Sequence, residues 1–200
     1  MTLRQLTSFL FILLFFSFSS TTQAQVYGLR VDTVSADIGV LAGALGTTDM
    51  TGMACYRLYI TMENTDDFMS SISGDATNPT YVNTSTSFYQ AALGGLTASS
   101  SNPLLFAFYP DLAYDSYVSI GLTGPANASA GEANPSTVQS GANPWATNFD
   151  PGGGQPGGNI SIDDAIGGAW YAQGLAPDWT VDGLASPAEA LAGPVRPILT

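Results

Sequence analysis

The chain has 200 residues, a formal net charge of −12, and 45% hydrophobic and 11% aromatic residues. Nucleic acids and anionic membranes bind proteins through Lys and Arg, and four such residues against 16 acidic ones argue against both partners. The apolar content is sufficient for a folded core, and the length fits one domain.

The N-terminus has the layout of a secretory signal peptide. Arg4 is basic, residues 6–18 are an almost unbroken apolar run, and Thr22-Gln23-Ala24 offers a cleavage site. The apolar run is about 13 residues long, whereas a helix that spans a bilayer needs about 20. We therefore expect a signal peptide over residues 1–24, a secreted or cell-surface product over residues 25–200, and no membrane insertion after cleavage.

Apolar residues mostly recur with period two, which predicts strands. In chain order, the predicted strands cover residues 26–34, 55–62, 68–73, 81–89, 116–122, 159–162 and 168–172. Residues 104–109 fit either a buried helical turn or an extended run, and residues 187–191 fit a short helix. Residues 123–158 carry five prolines and a glycine-rich centre, so they predict a long loop.

Short strands separated by loops rich in Gly, Pro, Asn and Asp predict an all-β fold, in the form of an antiparallel, jelly-roll-like β-sandwich with long Gly/Pro-rich loops. The expected core includes Tyr56, Leu58, Ile60, Val118, Ile120 and Trp170. Residues 194–200 have the pattern of a strand that begins without a closing hairpin, so we also expect a single domain that continues beyond Thr200.

Residue types limit the chemistry. The chain has no His, no Lys and one Cys, which excludes His-dependent triads, Ser–Lys dyads and the usual zinc sites within this chain. Carboxylates are the acid–base groups that remain, but Asp in turns more commonly serves turn formation and solubility. We therefore predict no enzymatic activity and no catalytic residues. Asp115 precedes an apolar run, where we expect it to accept backbone N–H bonds and fix a turn.

Cys55 lies in a strand-like run, which favours a buried small hydrophobe. In an oxidising compartment, a free reactive thiol and an intermolecular bridge are the alternatives.

Calcium is the one cofactor for which the sequence offers candidate ligands. Calcium needs only oxygen ligands, and extracellular β-modules often supply them from loops. Asn64, Asp66 and Asp67 form one candidate group, and Asp163 with Asp164 forms another. No EF-hand spacing accompanies them.

Aromatic residues offer a second kind of site, because their faces can stack on sugar rings. The candidates for this role are Trp145, Trp179 and Tyr114. The competing interpretation is that Trp145 and Trp179 cover loops.

Several segments follow one another in a recognisable order. They are residues 54–59 (ACYRLY), 87–90 (SFYQ), 102–106 (NPLLF), 110–121 (PDLAYDSYVSIG) and 168–171 (GAWY). This order resembles an uncharacterised secreted module of large exported or surface proteins of marine Bacteroidota and Planctomycetota, with its TYRLY, PxLxxDSxVxIG and GGxWF segments. The resemblance covers roughly residues 26–185. It implies a surface location within a larger protein and transfers no catalytic residue.

Two functions follow from these observations. The first is a non-catalytic module of a secreted or cell-surface protein with a matrix, adhesion or scaffold role. The alternative is a carbohydrate-binding module of a polysaccharide-acting protein. The expected partners are polysaccharides or other surface-protein modules.

Overall fold

The computed structural model describes residues 28–62, 69–130, 132–172 and 195–199, the last five by their backbone. These residues form a mainly-β fold in which every strand pairing is antiparallel. The strands are β1 Gly28–Ser35, β2 Gly39–Gly43, β3 Gly46–Met50, β4 Cys55–Thr61, β5 Ser71–Gly74, β6 Thr80–Val82, β7 Pro135–Val138, β8 Ile160–Ile162, β9 Gly168–Ala172 and β10 Val195–Leu199. One helix, α1, covers Trp145–Phe149, and 3₁₀ turns cover Ala98–Ser100, Pro103–Leu105, Pro110–Tyr114 and Ala128–Ala130.

β4 is the central strand of a three-stranded sheet, with β1 on one edge and β10 on the other. Val31 pairs with Leu58, so these two apolar residues lie on one face of the sheet. Arg30 pairs with Tyr59 on the opposite face, and its guanidinium carbon lies 4.8 Å from the centre of the tyrosine ring. The strands predicted over residues 26–34, 55–62 and 194–200 are therefore present as β1, β4 and β10.

β2 and β3 form a hairpin that the sequence pattern did not predict. Gly43 pairs with Gly46 across a two-residue turn, and the φ of Gly46 is +148°, a value that L side chains rarely adopt. The hairpin is anchored to a neighbouring turn, because the Ala44 N–H donates to the Ala107 carbonyl at 2.8 Å.

The remaining strands form two small sheets. β9 lies between β5 and β7, and β6 pairs with β8. The strands predicted over residues 159–162 and 168–172 are present as β8 and β9. The strand predicted over residues 68–73 is present only as β5, which begins at Ser71.

Three of the four described sheets contribute apolar residues to the main hydrophobic core. Trp145 and Trp170 meet at its centre, with 5.5 Å between ring centroids. The Trp145 indole N–H donates to the Val138 carbonyl at 2.8 Å, and the Trp170 indole N–H donates to the Ser119 carbonyl at 3.2 Å. The other buried members are Met62, Met69, Val118, Ile120, Ala146, Phe149, Ile160 and Ile162.

The predicted core is confirmed with one exception. Val118, Ile120 and Trp170 are buried, and Leu58 and Ile60 are half-buried and pack against the same cluster. Tyr56 is 51% exposed, so its place in the predicted core was wrong. Tyr56 lies on the same face of β4 as Leu58, but it is near the start of the strand and does not pack against the core cluster.

Residues 116–122 are not a strand, contrary to prediction. All seven are buried, so no solvent-facing row alternates with a core-facing one. Their backbone groups bond to loops instead: the Val118 N–H donates to the Leu96 carbonyl at 2.9 Å, and the Ser119 hydroxyl bonds both the N–H and the carbonyl of Leu122. Gly121 adopts a φ of +76°, which ends the extended run.

Two further assignments need correction. The strand predicted over residues 81–89 ends at Val82, and only Phe88 returns to an isolated bridge, with Gly157. The predicted loop over residues 123–158 contains β7 and α1, and the apolar side chains of α1 pack in the core. Of the two interpretations of residues 104–109, the helical turn is the closer, since a 3₁₀ turn covers Pro103–Leu105, but the turn is not buried as predicted, because Leu104 is 81% exposed. The helix predicted over residues 187–191 lies outside the described residues.

Candidate functional site

Asp115 is a fully buried carboxylate that holds a loop in place. Its Oδ1 accepts the Ala91 N–H at 2.8 Å, and its Oδ2 accepts the Gly95 N–H at 3.0 Å. The predicted role of Asp115, a carboxylate that fixes a turn through backbone N–H groups, is therefore confirmed. Gly94 lies against the same carboxylate so closely that a Cβ at this position would overlap it.

Burial raises the pKa of Asp115 from its ordinary 3.8 to about 6. The two backbone N–H bonds act in the opposite direction, and the negative charges of Asp150 and Asp111 add to the effect of burial. Such a pKa is typical of general acids, but structural hydrogen-bond networks produce it as well. Because both oxygens of Asp115 accept backbone N–H groups, we assign Asp115 to the structural networks.

Tyr89 links this carboxylate cluster to the surface. Its hydroxyl donates to Asp111 Oδ2 at 2.9 Å, and its carbonyl accepts the Ser116 N–H at 3.0 Å. Burial and the hydrogen bond to Asp111 raise the pKa of the Tyr89 phenol. Tyr89 therefore stays a neutral donor across the physiological range.

A cleft of about 920 Å³ opens beside this cluster. Its first wall comes from β1, β4 and the segment before β4 and is largely apolar; its members include Val31, Ile38, Met50, Met53, Cys55, Tyr56 and Leu58. Its second wall is residues 82–90, a run rich in hydroxyl groups, and Tyr114, Ser116, Gly154 and Pro156 complete the lining. This volume is in the range of small-molecule sites.

The three aromatic stacking candidates separate in the structure. Tyr114 is half-buried and lines the cleft, so it is available to a ligand. Trp145 is 1% exposed and packs in the core, so its predicted stacking role is wrong. The competing interpretation, that Trp145 covers loops, is also wrong, because its ring packs in the core against Trp170. Trp179 lies outside the described residues.

The contacts of Asp163 and Asp164 do not fit a calcium site. Asp164 accepts the Ser140 hydroxyl at 2.5 Å and the Gly167 N–H at 2.7 Å. Asp163 accepts hydrogen bonds from Tyr81, Asn143 and Ser161. These oxygens face hydrogen-bond donors, and no cluster of three metal-ligating side chains is found within the described ranges. Asn64, Asp66 and Asp67 lie outside those ranges.

Cys55 is a buried thiol at the edge of the cleft. Burial raises its pKa, which keeps it in the protonated, less reactive form. The interpretation of Cys55 as a buried small hydrophobe is thus confirmed.

The hydroxyl-rich wall was not identified as part of a site from the sequence. Residues 83–87 are Asn, Thr, Ser, Thr and Ser, a composition that the period-two interpretation assigned to an exposed strand. The structure makes them an irregular segment that faces β4 across the cleft. An uninterrupted run of hydroxyl and amide side chains was the available signal.

No helix within the described ranges is long and apolar enough to cross a membrane. Comparison of the chain with known proteins gave no match to a family model, a curated protein or a solved structure.

Proposed function

We propose that the chain is a non-catalytic module of a secreted or cell-surface protein, with a matrix, adhesion or scaffold role. The observation that supports this most directly is the use of Asp115. Its raised pKa makes it the described carboxylate that most resembles a general acid, yet both of its oxygens bind backbone N–H groups of one loop. A carboxylate held in this way serves folding rather than proton transfer to a substrate.

Turnover is the direct test of this proposal. The exported product of the full chain is incubated with a panel of polysaccharides and model glycosides, and no product should form. Turnover that a single Asp→Asn change abolishes would overturn the proposal. An Asp111→Asn variant and an Asp150→Asn variant should be included, since these carboxylates neighbour Asp115.

The extracellular location is part of the proposal. The signal-peptide layout of residues 1–24 supports it. The resemblance to secreted modules of marine bacteria supports the same location. Expression with a C-terminal tag, followed by assay of the medium and the cell surface, tests it.

The finer architecture that we propose is an antiparallel β-sandwich with the jelly-roll arrangement. Its support is that different sheets bury apolar residues in the same core, with Ile60 from β4, Ile72 from β5 and Ile162 from β8. An experimental structure of the exported protein would test this arrangement.

A carbohydrate-binding module is the second candidate, and the cleft favours it. Tyr114, one of the three residues predicted to stack on sugar rings, lines this cleft together with the hydroxyl side chains of residues 84–87. Affinity electrophoresis in gels that contain polysaccharides tests this candidate. Retarded migration of the exported protein by at least one polysaccharide is expected, and unchanged migration in all of them would contradict it.

A further inference from the structure

The cleft combines two different walls. The wall around β1 and β4 offers apolar groups, Val31 and Leu58 among them, while the facing wall offers the hydroxyl and amide groups of residues 83–87. Tyr56 and Tyr114 add aromatic rings. A ligand that fills this space needs one apolar face and a rim of hydrogen-bonding groups, and pyranose rings have both.

Charge restricts the ligand further. Among the described residues that line the cleft, none is Asp, Glu, Lys, Arg or His. Two carboxylates outside the lining bond to lining residues: Asp37 accepts the Gly52 N–H at 2.9 Å, and Asp111 accepts the Tyr89 hydroxyl at 2.9 Å. A third, Asp115, lies between the lining residues Tyr114 and Ser116 in sequence but is fully buried. An anionic ligand would meet no cation and would approach a chain of net charge −12. A cationic ligand would lose its hydration without gaining a direct ion pair.

We infer that this cleft selects uncharged glycans over anionic and cationic ones. The inference rests on the carbohydrate-binding candidate and names the ligand class of that site. It assigns sugar-ring contact to Tyr56 and Tyr114 and hydrogen bonding to the hydroxyl wall.

A buried acceptor beside the cleft supports the same ligand class. Gln90 lines the cleft and is 3% exposed; its Nε2 donates to the Phe149 carbonyl at 2.8 Å. Its Oε1 has no hydrogen-bond partner in the described part of the chain. An unsatisfied buried acceptor gains free energy from any donor that reaches it, and neutral sugars present several hydroxyl donors.

The test compares glycans of different charge. The exported protein is run by affinity electrophoresis against neutral polymers (β-1,3-glucan, β-1,4-mannan, β-1,4-xylan), anionic polymers (alginate, polygalacturonate) and cationic chitosan, at two salt concentrations. The expected result is retardation by at least one neutral polymer, little changed by salt, and at least about tenfold weaker binding to the charged ones. Tighter binding to a charged polymer overturns the inference and leaves the carbohydrate candidate standing. Binding to none overturns both.

A matched tyrosine pair locates the binding. Tyr56 is 51% exposed and lines the cleft, whereas Tyr81 is 53% exposed and does not. Tyr56→Ala should weaken binding at least about tenfold, as the loss of an aromatic anchor does, while Tyr81→Ala should change it less than twofold. Equal effects of the two substitutions place the glycan elsewhere and overturn the inference.

A charge introduced into the hydroxyl wall tests the selectivity itself. Ser85 is exposed and lines the cleft, so Ser85→Arg adds a cation without removing core packing. This variant should gain salt-sensitive retardation by alginate and lose affinity for the neutral polymer. Unchanged selectivity would show that the charge of the cleft does not decide the ligand class.

Discussion

Asp115 is ionised at neutral pH in surroundings that favour its protonated form, and this should make folding depend on pH. The pKa is about 6 in the folded chain against an ordinary 3.8. The folded state therefore binds the proton more tightly than the unfolded state between these values, so stability falls as pH rises from 4 to 6. We expect a loss of about 2–3 kcal/mol from this group between pH 4 and pH 7.

Urea denaturation at a series of pH values measures this effect, and Asp115→Asn isolates it from the other carboxylates. The asparagine lacks the titrating proton, so the difference between the two proteins should widen as the pH is lowered from 7 to 4. The variant should also be destabilised by about 1–3 kcal/mol at pH 7, because its amide cannot accept both backbone N–H bonds. A difference that does not vary with pH would contradict the assignment.

Gly94 provides a second test of the same anchor. A Cβ at this position would overlap the Asp115 carboxylate, which cannot retreat without releasing the Gly95 N–H. Gly94→Ala should therefore lower the free energy of unfolding by about 1–3 kcal/mol. Gly141→Ala is the control, since a Cβ there meets nothing within 4 Å. Thermal denaturation of both variants measures the difference. A Gly94→Ala protein as stable as the wild type would show that the loop can move to accommodate the added Cβ.

At the scale of elements, the buried segment 116–122 carries much of the core. Ile120 is 2% exposed and packs in the central cluster. Ile120→Ala should cost about 2–5 kcal/mol through lost burial and a residual cavity. Ile166 is 76% exposed, so Ile166→Ala should change stability by less than about 0.5 kcal/mol. Equal effects of the two substitutions would show that the core has been assigned wrongly.

The elements predicted correctly have a clear alternation and a solvent-exposed face. β1 and β4 belong to this class, since half-buried and exposed residues alternate along most of β1. Segment 116–122 has the same sequence pattern but is buried on every side, and no local signal separates the two cases. The β2–β3 hairpin was missed because its turn, Ala44-Leu45, has none of the Asn-Gly or Asp-Gly chemistry that marks such turns.

The candidate site was predictable only in part, and the reason is its construction from distant segments. Tyr114 was identified by the chemistry of its side chain. The cleft that it lines joins β1 and β4 with residues 82–90 and with Gly154 and Pro156. Long-range packing brings these segments together, and the spacing of residues within each segment does not indicate that packing. The same packing buries Trp145, which has the same stacking chemistry as Tyr114.

At the scale of the whole molecule, the expected processing concerns the first described strand. β1 begins at Gly28, which pairs with Thr61 at the end of β4. Cleavage after Ala24 leaves all of β1 in the mature chain. Cleavage beyond residue 30 would remove pairs such as Leu29 with Ile60 and expose part of β4 as an unpaired edge.

We therefore expect the exported protein to begin at Gln25, and intact-mass measurement of the product checks this. A large residue at the −1 position of a signal-peptide cleavage site blocks processing, so Ala24→Leu should leave the protein uncleaved or shift its start. Thr2→Ala is the control, because it changes neither Arg4 nor the apolar run and should leave the mass of the mature product unchanged. A mature product that retains residues 1–24 would contradict the proposed secretion, and one that starts within β1 would contradict the pairing of the whole of β1 with β4.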